Sequence, residues 1–139
     1  MADVRGMTTV FDIAEQPVDQ MVKIIRRGLP ARSFEQVAEA LRLSRDALAG
    51  KLGLAPRTMN RKKKANDTLS AGESEKVLRA ARVRNLARDL FTTDEAISEW
   101  LKAPAAPLKG AAPIDLLDTD LGAREVEGFI RGLAYGNFQ

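Results

Sequence analysis

The sequence predicts an all-α protein, a small helical bundle containing a helix-turn-helix and followed by a C-terminal α-helical region. Three observations carry that expectation. Of 62 apolar residues, 21 are Ala and 16 are Leu, whereas Val and Ile together supply 14. Ala and Leu lose little on entering a helix, and the β-branched residues that favour sheets are scarce. Apolar residues recur at helical spacing in successive segments, and Ser, Thr, Gly and Pro stand between them where helices start and stop.

Residues 1–16 show little periodicity before Pro17 and are either a loose arm or a short extra helix. From Val18, apolar residues at Val18, Met21, Val22 and Ile25 predict a helix that Gly28 closes ahead of Leu29-Pro30. Ser33 is placed to cap the next helix, with Gln36 completing a capping box and Phe34, Val37, Ala38 and Leu41 as the inner stripe. Ser44 caps Arg45–Leu52, which stops at Gly53. Pro56 suits a first turn because its missing N–H would be unpaired there anyway; that helix carries Arg57 to about Lys64 and ends at Asn66-Asp67.

Ser70 opens a longer helix through Phe91, with Glu73 and Glu75 near its positive N-terminal end. Ala80, Val83, Ala87 and Leu90 are expected to face inward, and Arg79, Arg82 and Arg88 outward. Thr93 caps one more helix, with Ile97, Trp100 and Leu101 on one face. Residues 103–113 hold three prolines and one glycine, too many for a helix interior. Beyond them come a short turn, Ile114–Leu117, and a last helix, Ala123–Ala134, striped by Val126, Phe129, Ile130 and Leu133. The chain thus divides into an N-terminal arm (1–17), a helix-turn-helix domain (18–92) and a C-terminal region (93–139).

The 139 residues include no Cys and no His. That excludes disulfides, thiol nucleophiles, zinc fingers and Ser–His pairs, and leaves acid–base work to Asp, Glu, Lys or Tyr. Glu73/Glu75 and Asp115/Asp118/Asp120 read better as helix-start and solvated charges than as a catalytic set. No enzyme, metal or cofactor is expected. No apolar run approaches ~18 residues and no signal-peptide pattern opens the chain, which predicts a soluble, cytoplasmic protein with no membrane partner.

The segment Arg45–Lys64 carries the best-defined constellation. Ala49 is small where the second helix crosses the first, Gly53 can take a left-handed turn, and Met59 plugs the second helix into the core. Leu48, Leu52 and Leu54 fill the remaining inward sites. Lys62 departs from the pattern, standing where another apolar residue is usual, and predicts a short or fraying helix. Between Arg42 and Lys64 there are eight Lys/Arg against one acid, a local +7 in a chain whose total is +3. Such a surface suits phosphate, because each neutralised phosphate releases counterions. A basic run alone fits a solvated hairpin face better than a DNA contact; the Ala49–Gly53–Met59 spacing with Pro56 turns the reading to operator DNA. With Met59 inward, Arg57, Asn60, Arg61 and Lys64 face out; Arg suits guanine and Asn adenine, while Lys62 and Lys63 suit phosphate. Thr58 belongs to the same candidate set.

Residues 111–139 reverse the sign to −3 and close on Tyr135-Gly136-Asn137-Phe138-Gln139, two aromatics around a glycine. Chain ends fray unless something binds them, and an aromatic end is a reasonable anchor for a partner pocket. Trp100-Leu101, Pro104, Pro107-Leu108, Gly110, Pro113, Leu116-Leu117, Gly122, Val126 and Gly136 together read W-L…P…L-x-G…P-x-x-L-L…G-x-x-x-V…Y-G-x-F. Following a helix-turn-helix, this pattern resembles the Xre/MbcA/ParS-type antitoxins of bacterial type II toxin–antitoxin modules, over about residues 33–138.

The resemblance implies that residues 93–139 bind a cognate toxin, of the RES-domain or ParT-like kind, which consumes NAD⁺ or transfers ADP-ribose from it. The antitoxin would occlude the toxin's active site, and the helix-turn-helix would repress the operon; a RES-type toxin is favoured. By position, Leu116, Leu117, Gly122, Val126, Phe129, Tyr135, Gly136, Asn137 and Phe138 become toxin-binding candidates, although Leu116, Leu117, Val126 and Phe129 are equally fit to be core. The alternative is a stand-alone transcriptional regulator whose C-terminal domain only dimerises it. Either protein needs a homodimer, since paired recognition helices read half-sites about one helical turn apart; the first adds a hetero-complex with toxin.

Overall fold

A computed structural model describes residues 9–136, and helices joined by tight turns account for them. Among these residues no strand forms; Pro30 and Thr68 make an isolated antiparallel bridge. No helix among them is long and apolar enough to cross a membrane.

Helix α1 (Val10–Ile13) opens with a capping box in which the Thr9 hydroxyl and the Asp12 carboxylate each accept from the other's backbone N–H. Val10 and Ile13 are buried against α3 (Arg32–Ala40) and α6 (Ala71–Ala87), so the described part of the first stretch takes its helical form. Helix α2 (Val18–Arg27) ends at Gly28, whose φ of 100° and contact with the Leu69 carbonyl exclude a side chain. Its buried residue is Ile24, whereas Val18 is 71% exposed and Met21, Val22 and Ile25 are half-buried. The expected inner stripe is therefore rotated: α2 leans on α6 through Ile24, and its apolar edge stays partly uncovered.

Helix α3 starts earlier than the sequence indicated, and the Ser33/Gln36 capping box does not form. Its N-cap is Ala31, because the Pro30–Thr68 bridge and the bond from Ala31 N–H to the Asp67 carbonyl (3.1 Å) fix where the chain turns. Ser33 is buried in the first turn, and Gln36 Oε1 instead accepts the Val10 N–H of α1 at 2.7 Å. Phe34, Val37, Ala38 and Leu41 are buried as a stripe. Helices α4 (Arg45–Leu52) and α5 (Pro56–Ala65) follow the expected bounds.

Ser70 and Glu73 form the capping box that opens α6. The helix ends at Ala87, short of Phe91, and the next residues turn back on it. Arg79 does not face solvent: it is 7% exposed, donates Nη1 to the Leu117 carbonyl at 3.0 Å and pairs Nη2 with Glu75 at 2.5 Å. Periodicity along α6 could not reveal this, because the cover comes from the C-terminal region.

Helix α7 (Asp94–Lys102) starts at the Thr93 cap and sets Trp100 between Phe91 and Phe129, with ring centroids 6.0 and 5.4 Å away. The Pro-rich stretch is packed, not loose. A 3₁₀ turn (Ala106–Leu108), left-handed Lys109 and Gly110, and a second 3₁₀ turn (Pro113–Leu116) bury Leu108, Ala112, Pro113 and Ile114. The last helix, α8 (Asp120–Ala134), begins before Ala123 because the Thr119 hydroxyl caps it. Its first turn crosses the Leu116 carbonyl so closely that a Cβ at Gly122 would overlap the oxygen, whereas one at Gly128 would meet open space.

Gly122→Ala should therefore cost about 1–3 kcal/mol of stability through overpacking. Gly128→Ala in the same helix should be neutral or stabilising by up to ~1 kcal/mol. Urea unfolding of both variants checks the pair, and equal effects would contradict the packing.

Candidate functional site

The α4–α5 corner is built from residues whose roles are local. Ser44 Oγ accepts the Ala47 N–H at 3.0 Å, Gly53 turns left-handed at φ 69°, and Leu54 N–H returns to the Ala49 carbonyl at 2.8 Å. Leu48, Ala49, Leu52 and Met59 are buried, so the second helix is pinned through one side and free on the other. Lys76 Nζ supports the turn by donating to the Gly53 carbonyl at 3.3 Å.

The basic run of α5 then splits in two. Arg57, Asn60, Arg61, Lys63 and Lys64 are exposed, while Thr58 and Lys62 are half-buried. Lys62 Nζ lies 2.6 Å from Glu73 Oε1, and this ion pair lets α5 continue to Ala65 where fraying was expected. Lys63 lies 3.2 Å from Glu35 Oε2, and Glu35 also pairs with Arg45. Among the described residues Arg57, Arg61 and Lys64 have no such partner. Glu35 and Glu73, outside the helix-turn-helix, thus hold part of its charge; nothing in local periodicity marks them as partners.

Burial raises the Glu73 carboxyl, but hydrogen bonds from Lys62 and Ser70 and the charge of Lys62 outweigh it, holding the group below its ordinary 4.5. A depressed folded-state value gives stability that is full above the unfolded value and is lost as pH falls through the folded one.

The C-terminal candidates separate by burial. Leu117, Val126 and Phe129 are core, Leu116 is half-buried, and Gly122 is needed for the close crossing over Leu116. Tyr135 is 79% exposed and Gly136 turns left-handed at φ 75°. Asn137 and Phe138 lie outside the described residues. The sequence reading missed Leu121, 74% exposed on the first turn of α8. It shares an outer face with Arg124, Glu125, Gly128 and Tyr135, a large apolar residue on the side opposite the Val126–Ile130 stripe.

Comparison with known proteins bears on both regions. Residues 20–82 match the model of the antitoxin Xre-like helix-turn-helix domain. Residues 86–136 match that of the antitoxin Xre/MbcA/ParS C-terminal toxin-binding domain. A relative from Sphingobium sp. (strain YBL2), named Prs ADP-ribosylating antitoxin, is 31% identical over 131 residues, 88% of this chain and 82% of its own. The chain belongs to the Xre/MbcA/ParS antitoxin family. Antitoxin Xre of Photorhabdus laumondii subsp. laumondii is 27% identical over 81% of this chain and 77% of its own. Antitoxin Xre of Yersinia enterocolitica is 33% identical over 62% and 59% respectively.

In this antitoxin the two matched regions share one hydrophobic core. Polar ties cross between them: Arg79 to the Leu117 carbonyl, Lys51 to Asp115, Ser98 Oγ to the Leu41 carbonyl at 2.8 Å, and Lys102 Nζ to the Arg42 carbonyl at 3.0 Å.

Glu73→Gln keeps an acceptor for the Ser70 cap but leaves Lys62 half-buried without its counter-charge, at a cost of about 1–3 kcal/mol at neutral pH. In the wild type this contribution should fade as pH falls below about 4.5, the ordinary value of the group. Thermal unfolding from pH 7 down to 3 should show the two proteins converging at the acid end.

Proposed function

We propose that this antitoxin neutralises a cognate NAD⁺-consuming toxin, RES-type or ParT-like, by laying the outer face of α8 and the following chain end over the toxin's active site. The observation that carries the reading is the Leu121-to-Tyr135 face: two large side chains, exposed at opposite ends of one helix, in the region that matches a toxin-binding domain. A stoichiometric inhibitor needs no catalytic group, only a surface that buries apolar area and excludes substrate. The name of the Sphingobium relative, which includes ADP-ribosylation, supports a toxin handling the ADP-ribose of NAD⁺. The exposed acids Asp120 and Glu125, on the same helix, suit a basic nucleotide site.

The helix-turn-helix represses the operon in this reading, with a homodimer placing two copies of α5 on adjacent half-sites. The partly uncovered apolar edge of α2, Val18 to Ile25, is available for pairing the copies. Arg57, Arg61 and Lys64 supply the free charge for DNA, and Lys62 acts in the fold.

Two experiments check these roles. Leu121→Arg combined with Tyr135→Ala should restore toxin-mediated growth arrest on co-expression while the circular dichroism stays helical; undiminished neutralisation would rule out the α8 face. In operator titrations, Arg61→Ala and Lys64→Ala should each lower the slope of log K against log salt by ~0.9. Lys62→Ala should leave that slope unchanged and lower the melting temperature.

A further inference from the structure

Arg45, at the start of α4, is half-buried and held by groups from α3 and α5. Its guanidinium lies over the Phe34 ring, 5.3 Å from the centroid, and Nη1 is paired with Glu35. Nη2 is buried without a partner, and Nε donates to Asn60 Oδ1 at 3.0 Å. Glu35 is held in turn by Lys63. The arrangement joins α3, α4 and α5 at the base of the exposed face, and it leaves Arg45 no outward donor with which to reach DNA itself.

Its consequence falls on Asn60. An arginine Nε–H can only donate, so the amide atom facing it must be the carbonyl oxygen, and the NH₂ group is the one turned away. Adenine is read in the major groove by an asparagine that uses both atoms, accepting from N6 and donating to N7. With its oxygen turned toward Arg45 and one lone pair taken there, Asn60 turns its NH₂ donor toward the open side of the helix. Guanine, whose major-groove edge offers only the acceptors N7 and O6, fits that presentation, whereas the N6 amino group of adenine would meet the amide NH₂ donor to donor.

We propose that Arg45 is a positioning residue that fixes the amide of Asn60 so that it reads an acceptor edge, guanine foremost, and discriminates against adenine. This rests on the DNA-reading role of α5 proposed above, and it reverses the base that the residue type alone would suggest for position 60.

Selection from a pool of duplexes randomised over about 20 base pairs, carried out with the full chain, tests it. The wild type should enrich a G·C pair over an A·T pair at a half-site position where Asn60→Ala loses the preference, by about two- to tenfold for a single hydrogen bond. Arg45→Met, which keeps a stem over Phe34 but frees the Asn60 oxygen, should move that position toward adenine. Arg45→Lys serves the same purpose should the first variant fail to fold, since lysine has no N–H at that point of the side chain. Adenine enriched by the wild type at the Asn60-dependent position would overturn the proposal. So would a folded Arg45 variant with unchanged preference, or an Asn60→Ala profile identical to the wild type, which would place Asn60 on phosphate. Failure of the wild type to enrich any sequence, alone or with its toxin, would instead remove the DNA-reading role on which the proposal stands.

Discussion

The burial of α6 on nearly every side is the constraint on which the rest of the molecule depends. Val77, Leu78, Ala80, Ala81, Val83 and Ala87 are all buried, and α1, α2, α3 and α8 pack against this one helix. The paired alanines matter because they let neighbouring helices approach closely without voids. A helix enclosed this way must find partners for any polar group it carries inward. Arg79 does so at its two terminal nitrogens, with Glu75 and the Leu117 carbonyl, while its Nε stays buried without a partner, and the Leu117 bond ties the helix-turn-helix region to the C-terminal region. Replacing Arg79 alone would leave a buried carbonyl without its donor, the costly side of hydrogen-bond energetics.

The same economy of buried charge shapes the basic surface. A local +7 could not be packed beside a core without compensation, and Glu35 and Glu73 of neighbouring helices, with Asp115 of the C-terminal region, supply part of it. Glu73 does three things with one carboxylate, capping α6, neutralising Lys62 and allowing α5 to run its full length. Glu35 holds both Arg45 and Lys63. On α5, what remains exposed and unpaired, Arg57, Arg61 and Lys64, is a narrower set than the run of basic letters, and it stands on one side of the helix.

Much of the fold is legible in the letters because the signals are local. The Ser44 cap, the left-handed Gly53, Pro56 at the first turn and the buried Ala49 and Met59 each follow from backbone chemistry within a few residues. The family pattern in the tail was legible too, because prolines and glycines at fixed spacing record turns. The failures were equally regular. Ser33 and Gln36 had the right spacing for a cap, but the bridge between Pro30 and Thr68 set the helix start, and Gln36 went to α1. Arg79 sat on the polar side of its own helix, yet α8 and the turn before it covered that side. Leu121 escaped notice because the cap at Thr119 extended α8 backward.

By itself, then, the sequence determined the helical class, the helix-turn-helix and its basic character, and the family to which the tail belongs, since each is written in residue types at fixed spacing along the chain. The tertiary structure alone decided which charges are free and which are held, which tail residues are core and which are surface, and which way the Asn60 amide faces. Those outcomes depend on groups far apart in the chain: Glu73 and Lys62, Leu117 and Arg79, Asn60 and Arg45. Periodicity along one helix cannot register what another helix will place against it.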